Sequence, residues 1–162
     1  MGNDDFEVLY RKYNNELYIY ALSLCKDHHL AQDLVSETFF KALLSIEISE
    51  VYIKYWLFRV CKNLFLDHLK KNSRLEDIDA NLNKLSSEDN TLDKIIFNEA
   101  RRKIYYEVLN LQPSYKEIVI LYYYCNLSLK EISEVTGVSQ GAARTLLFRA
   151  RKKLKEFLEE DL

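Results

Sequence analysis

Residues that break helices are scarce in this chain. Its 162 residues include three glycines and a single proline, Pro113, and neither Asn-Gly nor Asp-Gly occurs anywhere. With hairpin turns so poorly provided for, a strand-rich fold is excluded and long helices are favoured. Cysteine is sparse too: Cys25, Cys61 and Cys125 are far apart and odd in number. That pattern excludes a disulfide framework and fits reduced thiols in a cytosolic protein. No secretory leader and no apolar run of membrane length is present, so a cytoplasmic location is expected.

Catalytic signatures are missing as well. There is no phosphate-binding glycine loop, no nucleophile elbow and no paired-carboxylate arrangement, so neither an enzyme nor a cofactor is expected. Cys25, His28 and His29 lie close together, but no fourth ligand follows at a suitable spacing. The histidine pair is read as an exposed polar turn, and no metal site is expected.

Overall charge is nearly balanced, at −2, which argues against a nonspecific coat on nucleic acid. The balance hides a segregation. From Arg144 to Glu156 there are six basic residues and one acidic one, and from Arg59 to Arg74 five basic residues face Asp67 alone. Between them, from Leu75 to Asp93, six acidic residues face only Lys84. Two basic patches on either side of an acidic connector suggest two anion-facing surfaces in one polypeptide.

Apolar residues recur at helical spacing through nearly every segment, so the fold class is all-α. A first helix carries Phe6, Leu9, Tyr10, Tyr13, Leu17, Ile19, Tyr20 and Leu24 on its apolar face; after a polar break at Lys26–His29, a second runs on to about Ser45. A strongly apolar helix from Tyr52 to about Leu69 is centred on Trp56, Leu57, Val60, Leu64 and Phe65, with Trp56 read as core. Residues 72–90, polar and rich in Asn and Ser, form the best candidate for an interdomain linker. Helical pattern then runs from Thr91 to Leu109, and Pro113 starts the next helix in its first turn.

The most informative stretch is Leu127–Leu154. Ser128 and Glu131 have the spacing of a capping box, Gly137 sits where the chain must reverse, and Ser139 can cap the following helix. Ala143, Leu147, Ala150 and Leu154 then form one buried stripe. That stripe pushes Gln140, Arg144, Thr145, Phe148, Arg149 and Lys152 outward. Two arginines, a hydroxyl and an aromatic on one face suit base edges and phosphates, which is the build of a DNA-reading helix-turn-helix. A merely solvated basic helix is the plainer alternative, disfavoured because cap, turn and inner alanines fall in register.

The front half narrows the reading. Ala31-Gln-Asp-Leu-Val-Ser-Glu-Thr-Phe-Phe-Lys-Ala-Leu43 and Trp56-Leu-Phe-Arg-Val-Cys-Lys-Asn-Leu-Phe-Leu-Asp-His-Leu-Lys-Lys71 resemble regions 2.2 and 2.3–2.4 of the extracytoplasmic-function (group IV) sigma-70 factors. The tail resembles their region 4.2, so the resemblance spans essentially the whole chain. It implies two helical domains, region 2 over residues 1–72 and region 4 over 93–162, joined by a flexible acidic linker over 73–92. It also implies an alternative sigma factor that brings core RNA polymerase to promoters, commonly under the control of an anti-sigma factor.

By motif position, Asp33, Leu34, Glu37 and Phe39 would contact the clamp helices of the polymerase β′ subunit, with the β flap a second polymerase contact. Arg59, Lys62, Asn63, Lys70 and Lys71 would serve the minus-ten element. The loop Ser45–Val51 sits where the family holds a base flipped from the nontemplate strand. The minus-35 readers map onto Arg144, Thr145, Phe148 and Arg149, with Ser139 and Gln140 at the helix start and Lys152 beyond. Ser36 departs from the family's usual glutamine and Leu146 from its frequent arginine. The rival reading from another class is a standalone helix-turn-helix regulator that binds duplex DNA; a third is an interaction-only remnant of the same fold.

Overall fold

The computed structural model of the chain describes residues 3–45, 50–73 and 90–160. Residues 46–49 of the expected base-holding loop at Ser45–Val51, and residues 74–89 of the acidic linker, therefore lie outside the described residues. Every regular element among those residues is helical, and the chain divides into two units, Met1–Asp89 and Asn90–Leu162.

The first unit is built from three helices, α1 (Asn3–Cys25), α2 (His28–Leu44) and α3 (Glu50–Asn72), each packed on the other two. A two-residue turn separates α1 from α2. Lys26 closes α1 in the left-handed region at φ 53° and donates its backbone N–H to Leu22 O at 2.8 Å. Asp27 then caps α2, its carboxylate accepting from the backbone of His29 and Leu30 at 3.0 and 3.3 Å, which satisfies two of the helix's orphan donors.

His28 departs from the exposed turn expected for it. It is buried, and its Nδ1 lies 2.7 Å from the Tyr18 hydroxyl, so a local polar pair satisfies both groups where sequence polarity suggested solvent. The core joins Leu17, Tyr20 and Leu22 of α1 to Ala31, Val35 and Ala42 of α2 and Leu57 and Phe58 of α3. Tyr20 and Phe58 meet edge to face at 5.5 Å.

The buried face of α3 is rotated from expectation. Ile53, Leu57, Phe58 and Cys61 are buried, whereas Trp56, Val60, Leu64 and Phe65 are half-buried. Ile53, Leu57 and Cys61 follow an i, i+4, i+8 line, in which cysteine acts as a small hydrophobe. Burial pushes the Cys61 thiol up to about 12, outweighing the opposing effect of its hydrogen bond with Thr38.

The second unit holds α4 (Thr91–Ile95), α5 (Glu99–Val108), α6 (Pro113–Val119), α7 (Leu129–Thr136) and α8 (Gln140–Glu160). The single helix expected over 91–109 is two. Asn98 starts α5 by accepting from Arg101 N at 2.9 Å. Arg102 holds the corner, donating to Ile96 O at 2.7 Å while its Nε lies 2.9 Å from the Asp93 carboxylate. A capping asparagine competes with the backbone ladder and outweighs the apolar periodicity running through it.

Pro113 does occupy the first turn of α6. That helix continues into a π-helical turn, Ile120–Tyr124, closed by a 3.0 Å bond from Cys125 N to Ile120 O. Asn126, left-handed at φ 59°, ends it. Within this turn Tyr124 packs edge to face on Tyr105 at 5.3 Å and donates its hydroxyl to Arg101 O at 2.7 Å. Burial pushes that phenol up to about 12, against the pull of the Arg101 charge.

Candidate nucleic-acid and polymerase interfaces

The helix-turn-helix forms as its sequence dictates. Ser128 Oγ accepts from Glu131 N at 3.1 Å, and the Glu131 carboxylate accepts from Ser128 N at 2.9 Å, a complete capping box. Gly137 ends α7 at φ 83°, a conformation that glycine adopts without a Cβ penalty. Ser133 Oγ donates to Val138 O at 2.6 Å, which stiffens the turn. Ser139 Oγ accepts from Ala142 N at 3.1 Å and so caps α8.

Ala143, Leu147 and Ala150 are buried and Leu154 is half-buried. The two alanines let α8 lie close on the rest of the unit. On the opposite side Gln140, Arg144, Thr145, Phe148, Arg149 and Lys152 are all exposed, Phe148 by 61%. Exposing that much phenyl ring has no folding benefit, whereas a base edge or a thymine methyl can cover it. Thr145 Oγ1 donates to Gly141 O at 3.1 Å, so towards a ligand this hydroxyl acts as an acceptor.

The basic residues of α8 divide into two groups. Arg144 and Arg149 hold no ion pair among the described residues. Arg151 instead points its Nε at the Tyr123 hydroxyl and lies 5.4 and 5.9 Å from the Tyr123 and Tyr122 ring centres. Lys153 is 3.5 Å from the Glu156 carboxylate. One group faces outward and uncompensated; the other is engaged within the unit. Beside the second group lies a groove of about 540 Å³, with Ile104, Val119, Leu154 and Leu158 as apolar lining and Arg101 and Arg151 among its polar residues.

On α3, Asn63, Lys70 and Lys71 are exposed, and Arg59 and Lys62 are partly so. Arg59, Lys62, Asn63, Leu66 and Lys70 recur at three- and four-residue steps, so one face carries them. The Arg59 guanidinium sits 5.4 Å from the Tyr55 ring centre, which holds this cation against the helix surface.

On α2, Asp33 and Glu37 are exposed one turn apart. Two of the four residues expected to contact the polymerase are buried. Leu34 is 3% and Phe39 2% exposed, and Phe39 packs against the rings of Tyr10 and Phe6 at 4.9 and 6.2 Å. Both belong to the three-helix core. The apolar residues that the helix does present are Phe40, Leu43 and Leu44, Phe40 by 58% and Leu44 by 64%. Asp33, Glu37, Phe40 and Leu44 make one stripe, acidic at one end and apolar at the other. The sequence signal for it is the same 3.6-residue period, taken one position out of phase.

Comparison with known proteins agrees with this division. Residues 9–75 match sigma-70 region 2 and residues 101–154 match sigma-70 region 4. Over 159 residues the chain is 32% identical to the ECF RNA polymerase sigma factor SigM of Bacillus subtilis, covering 92% of each chain. The chain belongs to the ECF sigma-70 family.

Another relative, the sigma factor SigV of the same organism, is 30% identical over 160 residues, covering 93% of this chain and 89% of SigV. In fold the chain resembles the sigma factor RpoE of Bartonella quintana, solved in complex with the anti-sigma factor NepR, with a TM-score of 0.74 and 24% identity over 98% of this chain and 99% of that one. As an ECF sigma factor the chain directs transcription initiation and is not itself an enzyme. No helix among its described residues is long and apolar enough to cross a membrane.

Proposed function

We propose that this ECF sigma factor works in the cytoplasm as a bipartite promoter reader, with region 2 over residues 1–72, region 4 over 93–162 and a tether over 73–92. In this reading α2 docks on the β′ clamp helices through Asp33 and Glu37, with Phe40, Leu43 and Leu44 replacing the buried Leu34 and Phe39 as apolar contacts. The α3 face bearing Arg59, Lys62, Asn63 and Lys70, with Lys71 beside it, serves the minus-ten element. On α8, Ser139, Gln140, Arg144, Thr145, Phe148, Arg149 and Lys152 read the minus-35 element. The groove beside Arg151 receives an apolar element of the β flap, and an anti-sigma factor, such as the NepR seen with Bartonella RpoE, holds the protein inactive.

The observation that carries this reading is the outer face of α8, where Arg144 and Arg149 flank an exposed Phe148 on a capped and rigidly turned helix. Such a face lowers its free energy by meeting phosphates and base edges, which supply the counter-charge that its two arginines lack. The test is run-off transcription with purified core polymerase on a promoter library, together with comigration on a sizing column. A discrete set of transcripts and a stable complex are expected. Duplex binding without either would leave the standalone regulator as the better description.

A further inference from the structure

We infer that the groove between α5, α8 and the π-helical turn binds a small amphiphilic anion, an apolar chain ending in a carboxylate. Binding to the free protein is independent of the flap docking proposed for the same groove, and the two occupants exclude one another. The groove encloses about 540 Å³, inside the range of roughly 300–1,000 Å³ typical of small-molecule sites.

Its two kinds of lining point to the ligand. Ile104 of α5 and Leu154 and Leu158 of α8 are only half-buried, and with Val119 they form an apolar wall open to water. An apolar chain laid there removes that surface from water. Beside the wall Arg101, Arg151 and Lys155 line the same groove, and no carboxylate among the described residues joins them. None of the three holds an ion pair among those residues. Arg101 donates to Tyr123 O and sits 4.4 Å from the Tyr124 ring centre, while Arg151 directs its Nε at the Tyr123 hydroxyl. These partners are neutral. They orient the guanidinium groups without cancelling their charge, and an anionic head supplies the counter-charge.

Backbone geometry brings the groups together. The turn Ile120–Tyr124 closes with i→i+5 bonding, as from Cys125 N to Ile120 O. Consecutive residues of an α-helix diverge by about 100°, and the wider turn reduces that divergence. Tyr123 and Tyr124 therefore both face the groove with Val119. Such turns are rare and concentrate at functional sites. On α8 the pairs Arg151 and Lys155, and Leu154 and Leu158, are each one turn apart, so cations and apolar residues run along adjacent lines.

The test titrates dodecanoate into the full chain, free of polymerase, by calorimetry below the micelle concentration. Acetate and dodecyltrimethylammonium serve as head-only and opposite-charge probes. One equivalent of dodecanoate is expected to bind, and neither control. Lys155→Gln should weaken binding about two- to fivefold, as for one solvent-screened charge pair. Leu158→Glu, which sets a carboxylate against the apolar wall, should weaken it by about tenfold or more. Thermal melts of both variants separate lost binding from lost fold, and the exposed Lys155 is replaced without disturbing packing. Dodecyltrimethylammonium binding as tightly as dodecanoate would overturn the proposal. So would dodecanoate binding that neither variant changes, since its site would then lie elsewhere, and so would no binding at all.

Discussion

Regions 2 and 4 present their candidate contacts in opposite ways. In region 4 the outward residues of α8 stand over a lean core of Ala143, Leu147 and Ala150, and its exposed face agrees with helical periodicity residue by residue. In region 2, α2 carries apolar residues on both its inward and its outward sides. Phe39 and Phe40 are neighbours in sequence, yet one is buried against Tyr10 and the other is exposed. A lean, polar-backed helix announces its buried side; an apolar one leaves that decision to its neighbours.

The largest effect that can test this contrast is at the Phe39–Phe40 pair. Phe39→Ala should destabilise region 2 by about 3–5 kcal/mol, as expected for truncating a buried aromatic. Phe40→Ala should leave the urea midpoint nearly unchanged while weakening the complex with core polymerase. Equal destabilisation by both would mean that the burial difference between them is not real in solution.

Next comes the separation of surfaces. Arg149→Ala should cost about 1–3 kcal/mol in promoter binding and leave assembly with core polymerase intact. The Glu37→Lys reversal should do the opposite, weakening assembly while sparing the DNA contacts of region 4. Measuring both variants by comigration and by gel shift separates the two surfaces, and parallel losses would merge them.

The smallest effect is alkaline. The Cys61 thiol rises from 9.0 to about 12 on folding and the Tyr124 phenol from 10.0 to about 12. In each case the folded state holds the proton more tightly, so stability is complete below the unfolded value and is lost as pH climbs towards the folded one. Region 2 should therefore weaken from about pH 9, by roughly 1.4 kcal/mol at pH 10 for Cys61 alone, and region 4 only from about pH 10. Urea titrations at pH 8 and pH 10 should show the region 2 transition moving first, and Cys61→Ala should flatten that dependence.

Much of region 4 is legible in its sequence. The capping box at Ser128 and Glu131, the left-handed Gly137, the Ser139 cap and the stripe from Ala143 all depend on contacts a few residues apart. The break at Asn98 is hidden because apolar spacing runs straight through it, and the corner is held by Arg102 reaching back to Ile96 and Asp93. In region 2 the polar pair of Tyr18 and His28 joins residues ten apart, and no local pattern announces it.

The sequence by itself determined the all-helical class, the caps and turn of the helix-turn-helix and the segregation of charge, because each follows from residues close together along the chain. Only the tertiary structure decided which apolar residues of α2 and α3 face inward and which cations of α8 remain uncompensated. Those outcomes depend on partners distant in sequence. Tyr10 covers Phe39, and Tyr123 engages Arg151, and helical period alone cannot say which side of an apolar helix its neighbours will cover.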